Sequence, residues 1–339
     1  IEEMGMKFGL WFEPEMVNKD SDLYRAHPDW ILQTPQRHSC HGRNQYVLDF
    51  SRKEVVDCIY EMMYKILSEA KVSYIKWDMN RSITECYSAA LPADRQGEVF
   101  HRYILGVYDL YERLNTAFPQ ILFESCASGG GRFDPGILYY APQGWTSDDT
   151  DAAERVKIQY GTSMCYPVSS MGSHVSVVPN HQLNRKTPLH TRANVAYFGT
   201  FGYELDLNKL SDEEISEVKQ QIIFMKEYRE LIQFGTFYRL KSPFEGNETV
   251  WMTVSEDKKT ALVFWYRERN VVNADFTRVR LQGLDPDLIY RNEYNGTENY
   301  GDELMNLGLL TTDCTAGEPT SEDTPCTDYE SRIYVLTAK

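Results

Sequence analysis

The chain has 339 residues, of which 42% are hydrophobic, 13% aromatic and 25% charged, a globular composition that excludes a disordered polymer. Acidic residues outnumber basic ones by 50 to 35, and the formal net charge of −15 argues against a nucleic-acid binder, which needs a basic face. No apolar run approaches the roughly 18 residues of a membrane span, and the mean hydropathy is −0.49.

Phe8 to Phe12 is a short apolar run and reads as a buried strand. A polar loop rich in Pro, His and Arg covers residues 18–44. Ser51-Arg52-Lys53-Glu54 has the capping-box pattern, and Ile59, Met62, Met63, Ile66, Leu67 and Ala70 follow at helical spacing. Val72 to Trp77 reads as a strand. Residues 98–118 read as an amphipathic helix with Phe100, Ile104, Val107, Leu110 and Leu114 on one face, stopped by Pro119. Ile121 to Glu124 is the next strand, Gly144 to Ser147 a strand end, and Asp151 to Tyr160 a helix. Two more strand ends are expected at 169–172 and 196–201. A second capping box, Ser211 to Glu214, opens a long helix through Ile222, Met225, Tyr228 and Leu231. This alternation implies a parallel sheet covered by helices.

From about Thr236 the pattern changes. Val250 to Val254, a polar turn at 256–258 and Ala261 to Tyr266 read as a hairpin; Arg278 to Leu284 and Arg332 to Leu336 read as further strands, and residues 311–327 as a loop. The expected division is therefore 1–235 for the parallel region and 236–339 for an antiparallel domain. The first residues have neither a basic n-region nor an apolar h-region, so no signal peptide is expected there. Seven cysteines, with no CxxC among them, suggest reduced thiols and a cytoplasmic protein.

Catalytic groups of a parallel barrel come from the C-terminal ends of its strands, and here each strand ends in polar chemistry. The first runs into Trp11-Phe12-Glu13-Pro14-Glu15. The second runs into Lys76-Trp77-Asp78-Met79-Asn80-Arg81. The third leads to Cys126-Ala127-Ser128-Gly129-Gly130-Gly131-Arg132, and the fourth to Trp145-Thr146-Ser147-Asp148-Asp149-Thr150-Asp151. Carboxylates flanked by indoles suit a ligand with apolar faces and hydroxyls, as a sugar has. Two carboxylates on separate strands suit glycoside hydrolysis, one attacking the anomeric carbon and one protonating the leaving oxygen. Asp78 shares a strand face with Lys76, whose ammonium favours an ionised nucleophile. Asp148, Asp149 and Asp151 are all candidates for the acid, and spacing alone does not choose among them; Asp151 also suits the cap of the next helix. Of Glu13 and Glu15, at most one is expected to face the pocket. Cys126 reads as a pocket-lining thiol rather than a nucleophile, since no His partner is evident. The histidines have no ligand-like spacing, so neither metal nor cofactor is expected.

These four motifs, in this order, resemble those of the α-galactosidases of glycoside hydrolase family 36, and residues 171–176 and 179–182 extend the likeness. The resemblance implies an α/β fold, a (β/α)8 TIM-type barrel followed by an antiparallel β-sandwich, and a retaining mechanism. It implies Asp78 as nucleophile and Asp148 as acid/base. It implies a galactose pocket drawn from Trp11, Arg43, Lys76, Cys126, Gly129 and Trp145, with Asn80 also within reach of a sugar hydroxyl. The expected substrates are raffinose, stachyose and melibiose. Family members also carry an N-terminal β-domain and two earlier barrel strands, the second ending in an Asp-Asp pair that holds the sugar. This sequence contains neither, so barrel strands three to eight are expected, with two open edges. The rival readings are an inactive, truncated or carbohydrate-binding chain and an α-N-acetylgalactosaminidase. Relatives of this family suggest a homotetramer, with no nucleic-acid or membrane partner.

Overall fold

The computed structural model describes residues 1–272, 276–311 and 328–339. Apart from Thr311, the loop expected over 311–327 lies outside the described residues. The chain divides into two units, Ile1–Asp148 and Asp149–Lys339.

The first unit opens with β1 (Gly9–Phe12), β2 (Met16–Asn18), α1 (Asp22–Ala26), β3 (Gln45–Val47) and α2 (Lys53–Glu69). It continues with β4 (Tyr74–Trp77), α3 (Val99–Ala117), β5 (Leu122–Ser125), α4 (Pro135–Tyr140) and β6 (Gln143–Trp145). β1, β4, β5 and β6 pair side by side in parallel, Phe12 lying opposite Trp77 and Trp77 opposite Ser125. β1 stands at an edge of its sheet. The chain entering the sheet core is apolar: Ile75, Trp77 and Phe123 are buried, and the Trp77 indole stacks on Tyr111 of α3 at 3.9 Å.

Three expectations change here. The polar stretch 18–44 is not all loop. Ser21 accepts from the Tyr24 N–H and starts α1, and β2 pairs antiparallel with β3. Ser51 does not cap α2. Its hydroxyl goes to Asp49 at 2.5 Å, so the helix starts after Arg52 without a side-chain cap. The buried face of α2 is Val55, Val56, Ile59, Met63 and Leu67, leaving Met62 and Ile66 exposed; on α3, Phe100 is exposed while Tyr103 and Tyr111 are buried. A stripe at i, i+3 and i+4 can be drawn in more than one phase when apolar residues are abundant, and packing selects the phase.

The second unit contains α5 (Ala152–Thr162), β7 (Met171–Ser176), α6 (Leu189–Ala196), β8 (Thr200–Glu204) and α7 (Asp212–Phe234). β7 and β8 pair in parallel. The strand expected at 196–201 begins only at Thr200, because Ala196 closes a helix. At α7 the capping box forms as expected. Ser211 Oγ accepts from the Glu214 N–H at 3.2 Å, and the Glu214 carboxylate accepts from the Ser211 N–H at 2.9 Å.

Next come β9 (Thr236–Lys241), β10 (Glu248–Val254), β11 (Thr260–Arg267), β12 (Arg278–Val279), β13 (Ile289–Asn292) and β14 (Glu298–Tyr300). They are followed by α8 (Gly301–Asn306), β15 (Leu309–Leu310) and β16 (Glu330–Ala338). A six-stranded antiparallel sheet runs β14-β13-β16-β11-β10-β9, with the predicted hairpin β10–β11 inside it. β12 and β15 form a two-stranded sheet whose Val279 and Leu309 pack with Val250, Met252 and Val263 of the larger one. The strand expected over 278–284 is confined to Arg278–Val279.

Candidate active site

The site is built in the first unit, where strands β1, β4, β5 and β6 end. The ladder between β1 and β4 runs one residue past its strands: the Asp78 N–H donates to the Phe12 carbonyl at 2.8 Å. On the other side, the Cys126 N–H donates to Trp77 O at 2.7 Å and the Met79 N–H to Cys126 O at 3.1 Å. These bonds hold Asp78 and Cys126 as neighbours.

Asp78 is buried, 6% exposed, and its carboxylate is surrounded by donors. Oδ1 accepts from the Met79 N–H at 2.9 Å. Oδ2 accepts from Trp11 Nε1 at 3.2 Å and from Asn80 Nδ2 at 2.6 Å. A buried carboxylate needs such partners to stay charged. Cys126 adds a thiol against it. Burial first, and then the adjacent Asp78 charge, push that thiol up to about 12, so it is neutral at physiological pH. A neutral thiol is a donor and not a nucleophile.

Asn80 places both of its amide hydrogens on carboxylates, Asp78 Oδ2 and Glu13 Oε1, each at 2.6 Å. Its carbonyl oxygen accepts from Ser128 Oγ at 3.3 Å. Arg43 has a positive φ of 54° and pairs with Glu13 at 3.1 Å. Its side chain is more than half exposed.

Lys76 pairs with Glu124 at 3.2 Å and lies over the Trp145 ring at 4.4 Å. Glu124 is itself buried and takes donors from Tyr74 and from Gln143, the latter at 2.6 Å. Burial and the Glu124 charge raise the Tyr74 hydroxyl far above its ordinary value, so it stays a proton donor.

Trp145 is buried and its Nε1 donates to Asp148 Oδ1 at 3.1 Å, while Asp148 is exposed. The Gly-rich loop meets this strand end closely. Gly129 has a φ of +83°, and a Cβ there would fall 2.7 Å from Ser147 Cα and 2.9 Å from the Asp148 nitrogen. Only glycine suits both the left-handed backbone and the contact. The loop's far end is fixed by Arg132, whose guanidinium grips Glu15, and by Asp134, which caps α4. The other two candidate acids have local duties in the second unit. Asp149 Oδ1 accepts from the Asp151 N–H at 3.0 Å, and Asp151 caps α5 and pairs with Arg185.

The sequence-predicted residues fall into two sets of contacts, one around Asp78 and one at the Asp148 end. Trp11, Asn80 and Cys126 contact Asp78. Arg43 reaches Asn80 through Glu13. Lys76, Trp145 and Gly129 converge on the Asp148 end. Sequence reasoning missed Gln45 and Glu124 as holding groups, and left Glu13 and Glu15 undivided. β1 ends at Phe12 and Pro14 interrupts the backbone, so the two glutamates diverge. Glu13 turns to Arg43 and Asn80, and Glu15 to Trp77, Tyr103 and Arg132.

With this geometry, residues 1–235 match the family model Melibiase. The chain belongs to the Melibiase family. Residues 248–336 match the Glycosyl hydrolase family 36 C-terminal domain, so both regions carry the resemblance seen in the motifs. Alpha-galactosidase AgaA of Geobacillus stearothermophilus is 55% identical over 309 residues, covering 91% of this chain and 42% of that protein. Its crystal structure superposes with a TM-score of 0.94 at 52% identity, covering 100% of this chain and 45% of the other. A variant of that enzyme in complex with raffinose superposes equally well, with a TM-score of 0.94 at 51% identity, covering 100% of this chain and 45% of the other. The chain therefore spans less than half the length of these relatives. Its fold is a partial (β/α)8 barrel of six parallel strands followed by an antiparallel β-sandwich region.

Proposed function

We propose that the chain carries the catalytic site of a retaining α-galactosidase that releases terminal α-linked galactose from raffinose, stachyose and melibiose. The observation that carries this reading is the carboxylate of Asp78. It is buried at the end of β4 yet held by donors on both oxygens, and the end of β6, one strand beyond β5, offers the exposed carboxylate of Asp148. Asp78 attacks the anomeric carbon while Asp148 protonates the departing oxygen; Asp148 then takes a proton from the water that breaks the enzyme ester. Two inversions give net retention. The Lys76 ammonium, the Arg43 guanidinium and the Trp11 and Trp145 indoles supply donors and apolar faces for the sugar. The crowded, buried Cys126 and Trp145 favour a 2-hydroxyl over a 2-acetamido group. On this reading residues 1–235 form the catalytic barrel and 236–339 the β-sandwich.

Raffinose bound in a half-identical relative supports the substrate class. The test is turnover of raffinose and of a chromogenic α-galactoside by wild type, Asp78→Ala and Asp148→Ala, with the released anomer followed by proton NMR. The reading expects α-galactose first and loss of turnover in Asp78→Ala. First release of β-galactose, or Asp78→Ala within a few-fold of wild type, contradicts it.

A further inference from the structure

A third carboxylate stands at the edge of this site. Glu13 lies in the turn after β1, and its side chain is only 8% exposed. Three donors converge on it: Arg43 Nη1 at 3.1 Å and Asn80 Nδ2 at 2.6 Å on Oε1, and Gln45 Nε2 at 3.0 Å on Oε2. Asn80 has two amide hydrogens, and the second goes to Asp78 Oδ2. Glu13 therefore fixes which way the Asn80 amide is turned. With the acceptor in place, N–H must point at Asp78. Without it, only Asp78 Oδ2 and the longer bond from Ser128 Oγ at 3.3 Å hold the amide. The same oxygen holds the Arg43 guanidinium, which stands at a left-handed backbone position.

We propose that Glu13 is a positioning residue for glycoside cleavage, orienting Asn80 against Asp78 and Arg43 against the sugar through one shared carboxylate oxygen. This rests on the reading of Asp78 as nucleophile. During attack, one Asp78 oxygen bonds to the anomeric carbon and the other keeps its donors. When water breaks the ester, the same donors meet the returning carboxylate charge. An N–H held in place beforehand needs no reorganisation at that moment. Glu13 touches neither the reacting atoms nor the departing oxygen, so its effect passes through Asn80 and Arg43.

The test uses the 339-residue chain labelled with [15N]asparagine, the Asn80 side-chain amide being assigned by its loss in Asn80→Asp. Glu13→Ala is expected to speed hydrogen exchange of that amide by about tenfold or more as its bond is lost. Glu13→Gln is expected to stay near wild type. A glutamine Oε1 still accepts from Asn80, and Gln45, whose own buried Oε1 finds no partner among the described residues, can turn over to meet the new N–H. In kinetics on a chromogenic α-galactoside, Glu13→Ala is expected to lower kcat/KM by about 100-fold, the cost of a misplaced group. Glu13→Gln restores most of that loss. Glu13→Ala combined with Asn80→Ala costs less than the product of the two single losses, since the Asn80 part is shared and only the Arg43 part adds. An Asn80 amide unmoved in Glu13→Ala, or losses that multiply in the double variant, overturns the proposal. Asp78→Ala is measured alongside. Turnover surviving there sinks the nucleophile assignment, while the amide readout still decides for or against Glu13. A dead Asp78→Ala with an unaffected Glu13→Ala sinks the Glu13 proposal only.

Discussion

Arg132 meets Glu15 as one fork meets another, Nη1 to Oε2 at 2.8 Å and Nη2 to Oε1 at 2.7 Å, with the Glu15 carboxylate fully buried. Trp77 and Tyr103 complete its shell at 2.7 and 2.6 Å. This bidentate pair ties the end of the Gly-rich loop to the segment after β1. Removing one partner leaves a buried charge uncompensated, at a cost of about 3–5 kcal/mol. Arg132→Met is expected to lose that much in chemical denaturation. A loss below about 1 kcal/mol would mean the pair behaves like an exposed one.

The same pair gives a pH dependence. Burial alone would raise the Glu15 carboxyl, but the Arg132 charge and the bonds from Arg132, Tyr103 and Trp77 outweigh it and hold it below its ordinary 4.5. A depressed carboxylate stabilises the folded state fully above its unfolded value, and that contribution is lost as pH falls through the folded value. The stability gap between wild type and Glu15→Gln is therefore expected to be full at neutral pH and to shrink only below about pH 4.5, measured by denaturation across pH 3–7. A gap that shrinks with rising pH would reverse the sign.

Cys126 is expected to resist alkylation. Its thiol is pushed up to about 12 and is buried, whereas Cys40, Cys86 and Cys165 are exposed. Iodoacetamide at pH 8, mapped by mass spectrometry, should label those three and leave Cys126 unmodified in the folded chain. Labelling of Cys126 at the rate of Cys40 would show that it is neither buried nor held by Asp78.

Gly129 is expected to tolerate nothing larger. A Cβ 2.7 Å from Ser147 Cα, added to a φ of +83°, must move either the loop or the Asp148 strand end. Gly129→Ala should cost about 1–3 kcal/mol of stability and about 100-fold in kcat/KM, the penalty of a displaced catalytic group. Wild-type kinetics in that variant would separate the loop from the acid.

The contrast between two serines shows what the sequence could and could not reveal. Ser51-Arg52-Lys53-Glu54 and Ser211-Asp212-Glu213-Glu214 look alike as capping boxes. Ser211 forms its box, but Ser51 is drawn away by Asp49, which also binds Ser88 at 2.5 Å. Local pattern is silent about Ser88, which fixes Asp49 from 39 residues away. The strand ends were readable because their chemistry is contiguous: Lys76, Asp78 and Asn80 fall within five residues. The division of labour between Glu13 and Glu15 was not, since it depends on where β1 stops and on donors from Gln45, Arg43 and Arg132 far along the chain. For the acid, spacing left three aspartates open, and the resemblance chose Asp148. The structure gives Asp151 a helix to cap and Asp149 a turn to close, and sets Asp148 beside the Trp145 indole.

On the proposed mechanism Asp78 is the group that bonds to the sugar. The direct measurement is trapping with an activated 2-deoxy-2-fluoro galactoside, followed by proteolysis and mass spectrometry. One fluorogalactosyl unit is expected on the peptide holding Asp78, and none in Asp78→Ala. A label on the Asp148 peptide, or turnover with no label at Asp78, would contradict it.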